Sequence, residues 1–284
     1  MLNRMYKWIV LACCTALLLL FVGCGAPVQD TLEIHMIDVG NADCFLIKQG
    51  SAAMLIDGGN PDNADHIVSY LHTHGVERLD AVLLTHPHTD HIGSLTRVVQ
   101  AYATTVVYHA VLPTALQETS LLHTRFYEAV EQTGTVLVDA ASGVNFSLGK
   151  AMVRIYPLIV QSDDANDYSL AARVSFGAEH ALFVGDATEN AQRALMESGE
   201  DITASVLKIS HHGGRVDTTR AFLRAVGPQL ALISCGAENS YGHPHTQTIS
   251  ALKEQQIIYY RTDVHGNTVL TIDSNGDRFI TTAR

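Results

Sequence analysis

Between two apolar segments the chain reads Thr85-His86-Pro87-His88-Thr89-Asp90-His91-Ile92-Gly93, an H-x-H-x-D-H string that directly follows Ala81-Val82-Leu83-Leu84. Imidazole and carboxylate are ordinary protein ligands for divalent metals, and their spacing here has a geometric reading. In an extended segment residues i and i+2 share a face, so His86 and His88 can converge on one ion. The turn towards Gly93 then swings Asp90 and His91 to a second position, which makes two adjacent metals the expected arrangement. Such a pair lowers the pKa of a water, presents it as a metal-bridging hydroxide, and neutralises charge on an ester or phosphate oxygen. No Ser or Cys with a partnered base stands out as a rival nucleophile. The chain holds 15 His against 18 Lys and Arg together, an excess in the residue type such chemistry uses.

These residues need strands and helices to hold them. Short β-like runs at Thr31–Val39, Cys44–Lys48 and Ala52–Ile56 open the chain, and a helix begins near Pro61-Asp62-Asn63 and ends at Gly75. Asp80–Thr85 reads as a strand, with Gly93–Ala103 helical behind the His-rich turn. Further on, Leu116–Gln132 reads as a helix and Thr135–Val138 and Ala151–Tyr156 as strands. Ser169–Phe176 and Ala181–Val184 read as a hairpin. The tail repeats the theme: strand Ser205–Ile209 into His211-His212-Gly213-Gly214, helix Thr218–Ala225, strand Leu230–Ser234, helix Thr246–Glu254, then strands Ile257–Arg261, Thr268–Ile272 and Arg278–Thr281. Mixed elements without a domain-sized linker or internal repeat suggest one layered α/β or α+β domain over residues 31–284.

Composition narrows the classes. Apolar residues make up 47% and charged residues 17%, which excludes a disordered or low-complexity chain. Residues 1–24 carry Arg4 and Lys7, an apolar run Trp8–Val22 and then Gly23-Cys24, the layout of a signal peptide. Phe21-Val22-Gly23-Cys24 resembles a bacterial lipobox, so Cys24 is expected to be lipidated, with residues 25–30 a short tether. The expected location is the outer face of a bacterial membrane, as an exported envelope lipoprotein. Losing residues 1–24 takes the net charge from −11 to −13, because that segment holds two cations and no acid. An acidic chain is a poor surface for non-specific nucleic-acid binding. Cys13 and Cys14 leave with the signal, and Cys44 and Cys235 then read as buried free thiols.

The H-x-H-x-D-H string resembles the signature of the metallo-β-lactamase-fold hydrolases. Val39-Gly40-Asn41-Ala42-Asp43, Leu55-Ile56-Asp57-Gly58-Gly59, Leu182-Phe183-Val184-Gly185-Asp186, Leu207-Lys208-Ile209-Ser210-His211-His212-Gly213-Gly214 and Asn239-Ser240-Tyr241-Gly242-His243-Pro244-His245 narrow the resemblance. In that order they are similar to the hydrolase domain of the competence protein ComEC and its stand-alone relatives, over roughly residues 31–272. The resemblance implies a four-layer αββα sandwich and a binuclear metal-dependent hydrolase. It implies His86, His88 and His211 on one ion, Asp90, His91 and His243 on the other, and Asp186 bridging both. His212 and His245 stand as rivals for His211 and His243. Asp90 would also orient the attacking hydroxide, and His245 would move a proton. Asp43 and Asp57 read equally as groups that orient ligand histidines and as plain turn residues.

The chain departs from the wider superfamily, which usually offers another ligand His before the bridging Asp. His109, His123 and His180 fall in that interval without the expected context and read as structural. Asn166-Asp167-Tyr168-Ser169-Leu170 there suggests a polar wall beside the site. Many ComEC relatives have Asp where this chain has His88, and the more nitrogen-rich site leans towards zinc, with manganese also admitted. The expected substrate is a phosphodiester, either single-stranded DNA or a phosphocholine-type wall decoration, with Lys208 and Arg215 as candidate phosphate contacts. The ComEC channel segments are absent from this sequence, so the expectation is a hydrolase and not a DNA importer. The alternatives are a carbon-ester, lactone or lactam hydrolase, or a non-catalytic metal-retaining surface module. No protein partner is inferable.

Overall fold

Short runs rich in Val, Ile and Leu pair here into two sheets, and the helices between them cover the outer faces. The computed structural model describes residues 30–117, 120–158 and 160–284. The signal, lipobox and Cys24 readings, and residues 25–29 of the tether, lie outside the described residues. Residues Thr31–Arg284 form one compact unit.

The first half of the chain runs β1 (Leu32–Met36), β2 (Phe45–Gln49), β3 (Ala52–Ile56), α1 (Ala64–Thr73), β4 (Leu79–Leu83), α2 (Thr89–Ile92), α3 (Leu95–Ala101), β5 (Thr104–His109), α4 (Leu121–Gln132) and β6 (Val136–Asp139). Next come β7 (Val144–Leu148), β8 (Ala151–Ile155), β9 (Ala172–Phe176), β10 (Glu179–Phe183), α5 (Glu189–Glu197), β11 (Val206–Lys208), α6 (Arg220–Val226) and β12 (Leu230–Ile233). The chain closes with α7 (Thr246–Glu254), β13 (Ile258–Arg261), α8 (Thr262–His265), β14 (Thr268–Ile272) and β15 (Arg278–Thr282). One sheet has the order β15-β14-β1-β2-β3-β4-β5-β6, the other β13-β12-β11-β10-β9-β8-β7.

Alternation along the strands gives each sheet two apolar faces. Ile34, Met54 and Leu83 of the first sheet meet Val153, Val174 and Phe183 of the second in the central core, where the Phe45 and Phe183 rings pack edge to face. On the outer face of the first sheet Leu46, Leu55 and Val82 pack under Ile67, Leu71, Val98 and Phe126 of α1, α3 and α4. On the other side Leu182, Leu207 and Ala231 pack under Leu195, Phe222 and Leu252 of α5, α6 and α7. These are the four layers, αββα. Among the described residues no helix is long and apolar enough to cross a membrane.

Five elements have no counterpart in the sequence reading: β5, β7, α5 and the short helices α2 and α8. The helix expected at Leu116–Gln132 begins only at Leu121, and the one expected at Gly93–Ala103 is α3, Leu95–Ala101, preceded by the separate short turn α2 within the His-rich string. Cys44 and Cys235 are both free and buried.

Candidate metal centre

Strands β3, β4 and β5 run parallel, as do β10, β11 and β12. Parallel strands bring their C-terminal loops to one end, where sites are usually built. The loops after β3, β4, β10, β11 and β12 carry Asp57, the His86–His91 string, Asp186, His211-His212 and His243–His245. Backbone bonds tie them together: the Asp43 N–H donates to the Asp90 carbonyl, and the Gly58 N–H to the His91 carbonyl at 2.6 Å. Gly93 has to be glycine, since a Cβ there would lie 2.4 Å from the Gly59 carbonyl oxygen. Asp57, His211 and His212 have positive φ, three of only four described non-glycine residues to do so. Such strain persists where the surrounding structure imposes it, and here it gathers in one place.

Its centre is one oxygen. Oδ2 of the buried Asp186 has four imidazole Nε2 atoms around it: His91 at 3.3 Å, His212 at 3.7 Å, His211 at 3.8 Å and His86 at 4.0 Å. Asp90 joins them through Oδ2, 3.2 Å from His212 Nε2 and 3.9 Å from His91 Nε2. Asp90, His91, Asp186 and His212 each place a donor atom within 4.8 Å of the others, close enough for one ion. His91 Nε2 is buried without a hydrogen-bond partner, as is His243 Nδ1. Nitrogen and oxygen donors around buried atoms that lack partners are what a divalent cation completes, so the residues fit the group.

A second ring of groups fixes which nitrogen faces inward. His91 Nδ1 donates to Asp57 Oδ2 at 2.8 Å, and Asp57 is itself held by the Thr85 N–H and hydroxyl. His212 Nδ1 donates to the Ser234 carbonyl at 2.9 Å, with Asp43 Oδ1 at 3.4 Å. Each ring therefore presents Nε2 to Asp186. His211 Nδ1 lies 2.9 Å from Asp217 Oδ2, a partner without any sequence signal. His123 Nε2 donates to the Pro87 carbonyl at 2.6 Å and so braces the His86–His88 loop. Hydrogen bonds also anchor His109 to Tyr127 and His180 to Ser175.

Charge follows the geometry. Burial disfavours ionised Asp186, but the His91, His212 and Lys208 charges outweigh it and hold the carboxyl well below the usual range. Burial likewise disfavours charged His212, yet Asp186 and Asp43 push its pKa up to about 10. His91 moves well above the ordinary value, burial being overcome by Asp186 and Asp57. His86 goes well below it, through burial and the His91 charge. Asp90 drops to about 2, where burial is outweighed by the His212 hydrogen bond and the His91 charge. His243 falls to about 4 through burial and the neighbouring His212 and His211.

The remaining sequence candidates lie around this centre. His88 Nδ1 is 3.1 Å from His86 Nε2. The His243 ring centroid is 5.5 Å from His211 and 5.9 Å from His212, so His212 and not His243 shares the tight cluster with Asp90 and His91. His245 is one ring further out, 5.2 Å from His243, and Tyr241 stacks on the other side of His243. Lys208 is not a substrate contact: its side chain is 1% exposed and turned to Asp43 and Asp186. Arg215 is exposed and outside the cavity lining. That cavity, about 330 Å³, is lined by Asn41, Pro87, His88, Thr89, Asp90, His123, Asn166, Asp186, His211, His212, Tyr241 and His243. The Asn166 Oδ1 in its wall is buried and unpartnered.

The profile of the metallo-beta-lactamase superfamily matches residues 37–237. ComE operon protein 3 of Bacillus subtilis is 25% identical over 273 residues, covering 89% of this chain and 34% of that protein. Competence protein ComA of Neisseria gonorrhoeae is 26% identical over 279 residues, covering 91% of this chain and 38% of that protein. The chain thus spans about a third of the length of these relatives. Among solved structures, the metallo-beta-lactamase fold protein YhfI from Bacillus subtilis superposes with a TM-score of 0.56 at 14% identity, covering 89% of this chain and all of that one.

Proposed function

This chain belongs to the metallo-beta-lactamase superfamily, and from that premise we propose a binuclear metal-dependent hydrolase acting on phosphodiesters outside the cytoplasm. The observation that carries it is the convergence of four imidazole Nε2 atoms on Asp186 Oδ2, with Asp90 beside them. His86, His88 and His211 would hold one ion, Asp90, His91 and His212 the other, with His243 in reserve for the second. Asp186 would serve both. Two divalent ions, zinc or manganese, would supply Lewis acidity, generating a nucleophile from water near neutral pH and drawing charge from the scissile group.

The chain's own residues do the rest. Asp90 faces the cavity with its carboxylate ionised, since its pKa sits at about 2, and it can orient a water by accepting a hydrogen bond from it. His243, with a pKa of about 4, is neutral at pH 7 and has an unpartnered Nδ1. That combination suits accepting a proton rather than donating one, with His245 the next ring along. Asp57 and Ser234 keep His91 and His212 in the tautomer that offers Nε2.

The phosphodiester assignment rests on similarity to the two competence proteins and on a polar cavity. Anchoring to the envelope through Cys24 belongs to the same proposal. The test is metal content of the purified chain together with metal-dependent cleavage of bis-p-nitrophenyl phosphate and single-stranded DNA. About two ions with cleavage supports the reading. Two ions with cleavage of nitrocefin or a lactone instead supports the carbon-ester reading, which has one observation in its favour: no Lys or Arg lines the cavity among the described residues.

A further inference from the structure

A buried ammonium is expensive. Taking a lysine out of water costs several kcal/mol unless opposite charge and hydrogen bonds replace the solvent, and well-packed apolar residues often serve stability as well. Lys208 nevertheless ends β11 between Leu207 and Ile209 with 1% of its side chain exposed. Its Nζ donates to the Gly185 carbonyl at 2.8 Å, contacts the Asp43 carboxylate directly and lies 3.5 Å from Asp186 Oδ1. That oxygen has no hydrogen-bond partner of its own. Its sister Oδ2 faces the four histidines, so the Asp186 carboxylate is divided between a cation on one side and metal-ligating nitrogens on the other.

We propose that Lys208 is the positioning residue that makes Asp186 a one-oxygen ligand, its ammonium holding the Oδ1 side so that both ions share Oδ2. The proposal rests on the binuclear reading above. A carboxylate free on both sides can turn and offer two oxygens to a single ion, which closes the second position. Lys208 opposes that turn by attraction at Oδ1. It also fixes Asp43, which in turn lies 3.4 Å from His212 Nδ1, so one side chain steadies a ligand from each of two loops.

The test uses the full chain and cobalt(II). The wild type, Lys208→Met and the double variant Asp43→Asn/Lys208→Met are titrated with the ion, reading stoichiometry, the affinity for the second ion and the visible spectrum. Circular dichroism reports the fold. Lys208→Met should keep the first ion, bind the second about 10–100-fold more weakly, and show an altered cobalt spectrum. The double variant removes both charges together and answers the same question should the single variant not fold. Wild-type second-ion affinity and an unchanged spectrum in either folded variant overturn the proposal. Fewer than two ions on the wild type overturns the binuclear reading instead, and the proposal with it.

Discussion

Adding zinc to the metal-free chain at pH 7 should release about two protons, four times what two ordinary histidines would give. His91 and His212 have their Nδ1 atoms committed to Asp57 and Ser234, and their Nε2 atoms face Asp186. Without metal, His212 titrates at about 10 and His91 well above its ordinary value, so both carry a proton on Nε2 at neutral pH. An ion can take Nε2 only after that proton leaves. A histidine of pKa about 6.5 is only about a quarter protonated at pH 7, so an unperturbed pair would release about half a proton. Ionisation of a bound water adds up to about one more. Affinity for this ion should accordingly rise with pH above 7, by about 10-fold per pH unit up to about pH 9 through His212 and more steeply wherever His91 is still protonated. Calorimetric titration in buffers of different ionisation enthalpy counts the protons. A release below about one per chain, or an affinity flat with pH, would refute the electrostatic reasoning.

Asp186→Asn should hold less than one ion per chain and lower turnover at least about a hundredfold while the fold survives; near-wild-type metal content would remove Asp186 from the centre. His212→Asn should cost more metal affinity than His243→Asn, because only His212 shares the tight cluster with Asp90 and His91; equilibrium dialysis of both variants ranks them, and the reverse order contradicts the assignment. The metal-free fold should lose stability in alkali. His212 is raised to about 10 in the folded chain and returns to about 6.5 on unfolding. Its contribution is therefore full below about 6.5 and disappears as pH rises through 10; a melting temperature of the metal-free protein that does not fall from pH 7 to 10 speaks against this. Cys24→Ser should abolish lipid attachment, read as loss of partitioning into detergent, and unchanged partitioning refutes the lipobox reading.

Much of the centre is legible in the sequence, because the H-x-H-x-D-H string sits where an apolar strand ends and its spacing alone sets two faces. The framework is legible for the same reason wherever apolar periodicity is strong. Helix α5 escapes because Gln192 and Leu195 are its only buried residues, too thin a stripe to read. Strand β7 alternates Val144, Phe146 and Leu148 towards the core, but it is short and interrupted by Asn145 and Ser147. The choice between His211 and His212 is not carried by spacing. Both have left-handed backbone, and that conformation sends His212 to Asp90 and Ser234 while His211 turns to Asp217. Lys208 misleads because an isolated lysine reads as a surface charge, and only the fold shows Asp43 and Asp186 closing over it.

The distribution of cations bears directly on the substrate. Proteins that grip nucleic-acid backbones do so with lysine and arginine, and their binding weakens steeply with salt. Here the cavity wall offers Asn41, Asn166, Thr89 and histidines, while the adjoining groove beside His88 carries Asp163 and Asp164. The one lysine at the centre is spent on Asp43 and Asp186. A phosphodiester bound in this cavity would therefore be held at its scissile group by the ions, with its flanks contributing little electrostatic attraction. On the proposed phosphodiester reading, that arrangement would favour short, weakly charged or single-stranded substrates over a long duplex, whose neighbouring phosphates would meet carboxylates.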